Sequence, residues 1–330
     1  MVRAGAGETS GLPARRAVLA GLGGVLLPGT TAGCLGPSWQ EVAATSVTIA
    51  TGNRRGVFDL YGEALAEVLH RRLPSVSVRT LRTDASVTNL REVHRGRADL
   101  GFSLGDVAAD AIAGRGSTGE PLDLAALART YDSFVHLVVR AGSSISELRD
   151  LRGRRVSIGA PGSGTRVVAW RLMSSVGLRE DDLDPVEESL QPSADALAQG
   201  EIDAFFFVSG LPNSAVVELA ERRDIRLVDL GDLVRPLSRR YGAEFTPGGV
   251  PASTYDVPAV ETVSVKNYLV VRPGLDEALA YAITRVVFED QAAIDRIAPG
   301  VPQPNVGAAI FTSPLPLHPG AARYFREQRT

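Results

Sequence analysis

Two stretches, "HRGRADLGFSLG" (His94–Gly105) and "AQGEIDAFFFVSG" (Ala198–Gly210), follow one order. Each has the end of a polar helix, a Gly, two residues, an Asp, and then a strongly apolar run into a small-residue loop. Glycine just past a periodic segment is a helix stop, and a short apolar run bounded by turn residues reads as a buried strand. The recurrence predicts two copies of one α/β plan.

The flanking segments extend the pattern. "SVTIATG" (Ser46–Gly52) is a β-branched strand ending in Gly, and Asp59 to Arg72 carries Leu60, Ala64, Leu65, Val68 and Leu69 at helical spacing. "SVSVRTL" (Ser75–Leu81) alternates as a strand, and Ser86 is placed to cap a helix through His94. In the second copy, "RRVSIGAPG" (Arg154–Gly162) is a strand ending in a Gly turn, Ser163 to Val176 is a helix, and Ser193 to Gln199 is a shorter one. Strands alternating with helices predict parallel sheets. "FVHLVVRAG" (Phe134–Gly142) and "NYLVVRPG" (Asn267–Gly274) resemble each other and read as crossing segments between two domains. Leu275 to Asp290 is an amphipathic helix that returns to the first domain, and Val301 to Pro319 is Pro-rich and irregular. The fold class is therefore α/β in two domains, the first built from 46–135 and 265–330 and the second from 136–264.

The chain has 330 residues, 44% hydrophobic and 22% charged, which suits two globular domains. Its net charge is −3, with no basic excess for nucleic acid. Arg15-Arg16, the apolar run Ala17–Gly29 and the small residues before Cys34 form an export signal over residues 1–33; the alternative is a buried helix, against which its many glycines argue. "TAGC" resembles a bacterial lipobox, with Thr31 where Leu is usual, and the Arg pair resembles a twin-arginine signal that lacks its Phe. After cleavage, 32 basic and 37 acidic residues remain. These features predict an exported protein at the outer face of the cell membrane, lipidated at Cys34, with 34–45 as a tether.

Ligands of open parallel sheets bind beyond the carboxyl ends of the strands. Five loops fall there, and they supply the candidate ligand residues. In the first domain these are Gly52, Asn53, Arg54, Arg55, Gly56 and Phe58, then Ser86 and Val87, then Ser103, Leu104 and Asp106. In the second they are Ser163, Gly164 and Thr165, and Ser209, Gly210 and Leu211. "SIGAPGSGTR" (Ser157–Arg166) has the G-x-x-x-x-G of a phosphate loop, but Thr165 and Arg166 stand where Lys and Ser/Thr belong. That argues against a nucleotide. A Gly-rich helix start still offers unpaired N–H groups to any small anion, while Ser163 or Thr165 acting as a plain N-cap is the alternative. Arg54 or Arg55 either clamps a carboxylate or stays solvated, and Asp106 either orients a ligand ammonium or caps a helix. His70, His94, His136 and His318 show no metal spacing, and no catalytic constellation, metal or cofactor is predicted.

The blocks "ATGNRRGVFDLYGEALAEVL", "ASVTNLREVHRGRADLGFSLGDVA", "VHLVVRAGSSISELRDLRGRRVSIGAPGSGT", "IDAFFFVSGLPN" and "PLPLHPGAARYFRE", in that order, resemble the TAXI family of solute receptors of TRAP transporters (tripartite ATP-independent periplasmic transporters). The resemblance covers Val47 to Glu327. It implies a type II periplasmic-binding-protein fold with a ligand cleft between domains. It also implies a monomeric receptor that hands a small organic anion, glutamate-like or a dicarboxylate such as 2-oxoglutarate, to a permease driven by an ion gradient. The binding loops it implies are Gly52–Phe58, Ser86-Val87, Ser103–Asp106, Ser163–Thr165 and Ser209–Leu211. One departure is that the family usually has a Gly-Gly pair and a Tyr near Gly56, where this chain has two arginines and Phe58. A sensor that signals to a membrane kinase is the alternative function, and an enzyme on a similar fold is a third.

Overall fold

A computed structural model describes residues 39–40 and 42–328. The export signal (1–33), Cys34 and the rest of the tether through residue 38 lie outside the described residues, as does residue 41. Strand β1 (Thr45–Ala50) leads to helix α1 (Val57–Arg72), and β2 (Val76–Leu81) leads to α2 (Ser86–His94). Next come β3 (Leu100–Leu104), α3 (Gly105–Ile112) and the long strand β4 (Ala125–Arg140). The second copy runs β5 (Arg155–Ser157), α4 (Gly164–Ser175), β6 (Asp184–Val186), α5 (Leu190–Gln199), β7 (Ala204–Ser209), α6 (Ser214–Arg222) and β8 (Ile225–Leu227). It closes with α7 (Val234–Tyr241), β9 (Phe245–Val250) and the long strand β10 (Val260–Val271). Helices α8 (Glu277–Glu289), α9 (Gln291–Ile297), α10 (Val306–Ala309) and α11 (Pro319–Glu327) complete the chain.

The strands form one ten-stranded sheet in the order β2-β1-β3-β10-β4-β7-β5-β6, with β8 on β4 and β9 on β10. The expected parallel pairing holds for β1 with β2 and β3, and for β5 with β6 and β7. It does not hold in the middle, where β10 runs antiparallel to β3 and β4, and β4 antiparallel to β7. The reason is the chain path. β4 enters the second half from the first, and β10 returns, so each runs against the strands it joins. Their neighbours change part-way: β10 pairs with β9 up to Val265 and with β3 from Asn267, while β4 gains β7 at Phe134.

Both crossing strands begin earlier than the sequence indicates, β4 at Ala125 and β10 at Val260. Arg129, Asp132 and Ser133 interrupt the apolar pattern of β4. Yet Arg129 and Asp132 pair with each other and Ser133 bonds Asn267, so the polar residues are satisfied within the sheet. Helix α1 buries Tyr61, Ala64, Leu65, Val68 and Leu69, the i, i+3, i+4, i+7, i+8 stripe of one helical face. It packs on the first half with α8, α9 and α11, while a separate cluster with α5 and α6 fills the outer face of the second half. A third cluster is continuous across both halves, joining Leu90 and Val107 to Val168 and Leu172.

Asn89 on α2 is fully buried, and its Nδ2 donates to the carbonyls of Thr51 and Phe102, tying the loop after β1 to β3. Asn89→Ala leaves both carbonyls without their donor at a cost of about 2–4 kcal/mol, taking 1–2 for each. Urea unfolding measures it, and a loss below about 1 kcal/mol would contradict this account of the loop.

Candidate functional site

The loops expected to bind ligand do converge, but not through all their residues. A hollow lies between the two halves, lined from the first by Gly52, Asn53, Gly56, Phe58, Ser86 and Leu104. Gly164, Thr165 and Ser209 line it from the second. Counting its mouth it holds about 390 Å³ of atom-free space, but only about 30 Å³ of that admits the centre of a water molecule. The smaller figure governs what fits: the halves as they stand enclose room for a few atoms.

The other candidates are engaged elsewhere. Arg55, held in the left-handed region at φ 65°, sends its guanidinium away from the hollow to Glu218 on α6 and Gln191 on α5. The bond to Glu218 raises the arginine's pKa and lowers the carboxylate's, so both stay charged. Arg55 thus joins the two halves rather than clamping a ligand. Arg54 is exposed and lines an outer groove with Arg82 and Glu92.

Asp106 neither caps α3 nor faces the hollow. It is buried against Arg171 of α4, which also binds Asp110. The Arg171 guanidinium lies 4.7 Å from the Tyr241 ring centroid and 5.9 Å from that of Phe245. Desolvation pushes the Asp106 carboxyl up to about 6, against the pull of Arg171.

The hydroxyls divide similarly. Ser163 is the N-cap of α4: its Oγ accepts from the Arg166 amide at 3.1 Å and donates to the Ala160 carbonyl at 2.7 Å. Thr165 lines the hollow and accepts from the Val208 amide at 3.3 Å. Ser86 is not a cap, because Ala85 precedes α2 at φ 87° and the Ser86 Oγ accepts from the Leu104 amide. Ser103 is fully buried and donates to the Leu104 carbonyl. Gly210 packs on Pro302 and Tyr131, and Leu211 packs with the outer cluster of the second half.

Val87 reveals what the glycine loop does. The Val87 and Thr88 amides, in the first turn of α2, donate to the Gly162 carbonyl at 3.1 and 3.2 Å. A Cβ at Gly164 would stand 2.6 Å from Leu104 Cδ1 and 2.7 Å from Ser86 Oγ. Both glycines therefore let the second half close on the first, and the anion-binding end of α2 is occupied by a peptide oxygen.

Val57, Ala85 and Val208, which fall within or beside the expected loops, also line the hollow, and Tyr131, Ser133 and Phe207 complete the lining without having been anticipated. Phe207 and Val208 end the apolar strand β7, where alternation alone did not say which side faces the hollow. Tyr131 and Ser133 sit on the part of β4 that precedes the strand expected from Phe134. Among the described residues no group of His, Cys, Asp and Glu is arranged to hold a metal, and no helix is long and apolar enough to cross a membrane.

Residues 49–328 match the model of the NMT1-like family. The chain belongs to the NMT1-like family. Among solved structures, this NMT1-like chain is similar to the binding-protein component of an ABC phosphonate transporter from Pseudomonas aeruginosa. The TM-score is 0.53 at 10% identity, covering 79% of this chain and 80% of that one. A Prochlorococcus marinus protein in complex with methylphosphonate gives 0.52 at 14% identity, over 76% and 88% of the two chains. The alkanesulfonate-binding protein of Xanthomonas axonopodis pv. citri bound to MOPS gives 0.50 at 16% identity, over 86% and 84%. At these identities the likeness is one of fold, the periplasmic solute-binding fold. The Pseudomonas relative serves an ABC transporter, not a TRAP transporter.

Asp106 carries a pH prediction. Its folded pKa is raised from 3.8 to about 6, so between those values the folded state holds a proton that the unfolded state has released. Its contribution to stability is therefore largest below pH 4 and falls as pH rises to 6, by on the order of 2–3 kcal/mol. Buried His136, lowered from 6.5 to about 4 by desolvation, acts in the opposite sense and masks this in the total. The unfolding free energy of the wild type minus that of Asp106→Asn should fall by that amount from pH 4 to 7 in urea titrations. A flat difference would mean that Arg171 holds Asp106 ionised throughout.

Proposed function

We propose that this NMT1-like chain is an extracytoplasmic solute receptor that captures a small organic anion between its two halves. It does no chemistry on that solute. One observation carries the reading: the first turns of α1 and α4, from opposite halves, meet at one hollow. Val57 and Phe58 open α1, and Gly164 and Thr165 open α4; all four line the hollow, and first-turn amides have no intrahelical acceptor. Two positive helix ends facing each other favour an anion that both halves share.

Closure and opening then turn about β4 near Phe134 and β10 near Val265, with 46–135 and 265–330 moving against 136–264. Lipidation at Cys34 would hold the receptor at the outer membrane face. Delivery to a TRAP-type permease is supported by the sequence blocks that resemble TAXI receptors. The phosphonate and alkanesulfonate relatives show only that the fold also serves other binding proteins. Uptake reconstituted with the partner permease should collapse when an ionophore dissipates the ion gradient with ATP present. Uptake that needs ATP and survives the ionophore would assign the chain to an ABC system instead.

Isothermal titration against a panel of mono- and dicarboxylates, sulfonates and amino acids tests capture directly, and micromolar binding of at least one is expected. Arg55→Ala separates a clasp from a clamp. As an exposed ion pair across the halves it is worth up to about 1 kcal/mol, so affinity should drop no more than about fivefold. Direct contact with a ligand carboxylate through two charge-assisted bonds would cost about a hundredfold or more.

A further inference from the structure

Among the described residues, none that lines the hollow is Arg, Lys, His, Asp or Glu. Of the charged groups next to these residues in sequence, Arg55 pairs with Glu218, Asp59 with Arg82, Asp132 with Arg129 and Arg166 with Glu187, while Arg54 and Asp84 line an outer groove instead. The remaining ionisable lining residue is Tyr131, whose phenol is buried and stays protonated because desolvation raises its pKa. Negative charge in the hollow is therefore met by neutral donors alone. The free first-turn amides of α1 and α4 supply them. The end of α2 does not, since Gly162 occupies it.

A second observation points the same way. The Tyr131 hydroxyl is buried and makes no hydrogen bond among the described residues; the neighbouring Tyr61 hydroxyl shares that state, but of the two only Tyr131 lines the hollow. A buried hydroxyl is normally paired, so this one is a donor left for a ligand. The remaining wall is apolar: Phe58, Leu104, Phe207 and Val208. Phe58 is fixed there by stacking on Phe102, 5.4 Å between centroids.

We propose that the hollow selects a compact oxyanion of single charge carrying a short apolar tail, and rejects dicarboxylates and α-amino acids. This rests on the receptor reading above. One carboxylate or sulfonate head takes the amides and the Tyr131 hydroxyl, and the tail lies on Phe58 and Phe207. A second carboxylate would be buried without a cation, and an ammonium without an anion. Either desolvation is uncompensated. The glutamate-like and dicarboxylate solutes implied by the family resemblance are the ones this lining disfavours.

Four-carbon probes isolate the charge. Butanoate, succinate and L-2-aminobutanoate have the same length, and propane-1-sulfonate changes only the head group. Titration of the mature protein should give butanoate or propane-1-sulfonate at least tenfold tighter than both succinate and L-2-aminobutanoate. Whichever of the two binds more tightly identifies the head. Succinate or L-2-aminobutanoate binding as tightly as the monoanions would overturn the proposal and leave the receptor reading standing. No binding by these probes or by the wider panel would overturn both. Phe207→Ala should weaken the preferred monoanion about tenfold without improving succinate. Tyr131→Phe should weaken it at least threefold with no fall in melting temperature, since the hydroxyl has no protein partner to lose. A monoanion affinity that survives both substitutions would remove the head and tail from these walls and defeat the proposal.

Discussion

The antiparallel pairing of β4 with β10 is the constraint on which the two halves depend. Most of the register from Ser264 to Val271 on β10 lies against β4, so the two long strands form one continuous ribbon through the middle of the sheet. Each half hangs its own strands on this ribbon, β3 on one side and β7 on the other. Register shifts on β10 between Lys266 and Tyr268 and between Leu269 and Val270 fall beside the place where its outer neighbour changes. Local irregularity bends a strand and increases its twist. The halves are thereby turned toward each other, and the segments after β1 and β2 and the ends of β3 and β7 face a common hollow with the start of α4.

The glycine loop before α4 takes its meaning from that geometry. In isolation, Gly162 to Thr165 offers amides to an anion, as does the start of α2. Facing each other they cannot both do so, because the Gly162 carbonyl enters the first turn of α2 and accepts from Val87 and Thr88. One helix end is consumed in joining the halves. The ends of α1 and α4 remain for the proposed solute. A side chain at Gly164 would strike Leu104 and Ser86, so the small residues there serve the approach of protein to protein.

The repeated α/β plan was legible because it rests on local rules. Gly96 and Gly200 follow helices with positive φ, and the apolar runs after them are β3 and β7. The loops of the hollow were legible because topology places them. Which side chain of each loop faces inward was not. Arg55 and Asp106 are drawn off by Glu218 and Arg171, residues more than sixty positions away that no local pattern pairs with them. Tyr131 was hidden by the charged residues around it, whose mutual pairing is a tertiary event. The family-level departures at Arg54, Arg55 and Phe58 were visible, and they mark where the loop turns charge outward and keeps an aromatic wall within.

Polar contacts between the halves set their register more than their strength. Arg55 and Glu218 are exposed enough to recover water when the halves part, so their pairing adds little to closure. Buried Asp106 and Arg171 gain attraction but lose hydration, and opening restores it. What resists opening is the apolar cluster that runs unbroken from Leu90 and Val107 to Val168 and Leu172, since parting it exposes hydrocarbon to water. A solute adds to this by its difference in affinity for the closed and open arrangements. In the proposed receptor that difference would come from the first-turn amides of α1 and α4, which belong to opposite halves and line one hollow. A receptor of the proposed kind would need no charged side chain in its hollow: closure would bring two positive helix ends together, and a negative solute between them would relieve the cost of doing so.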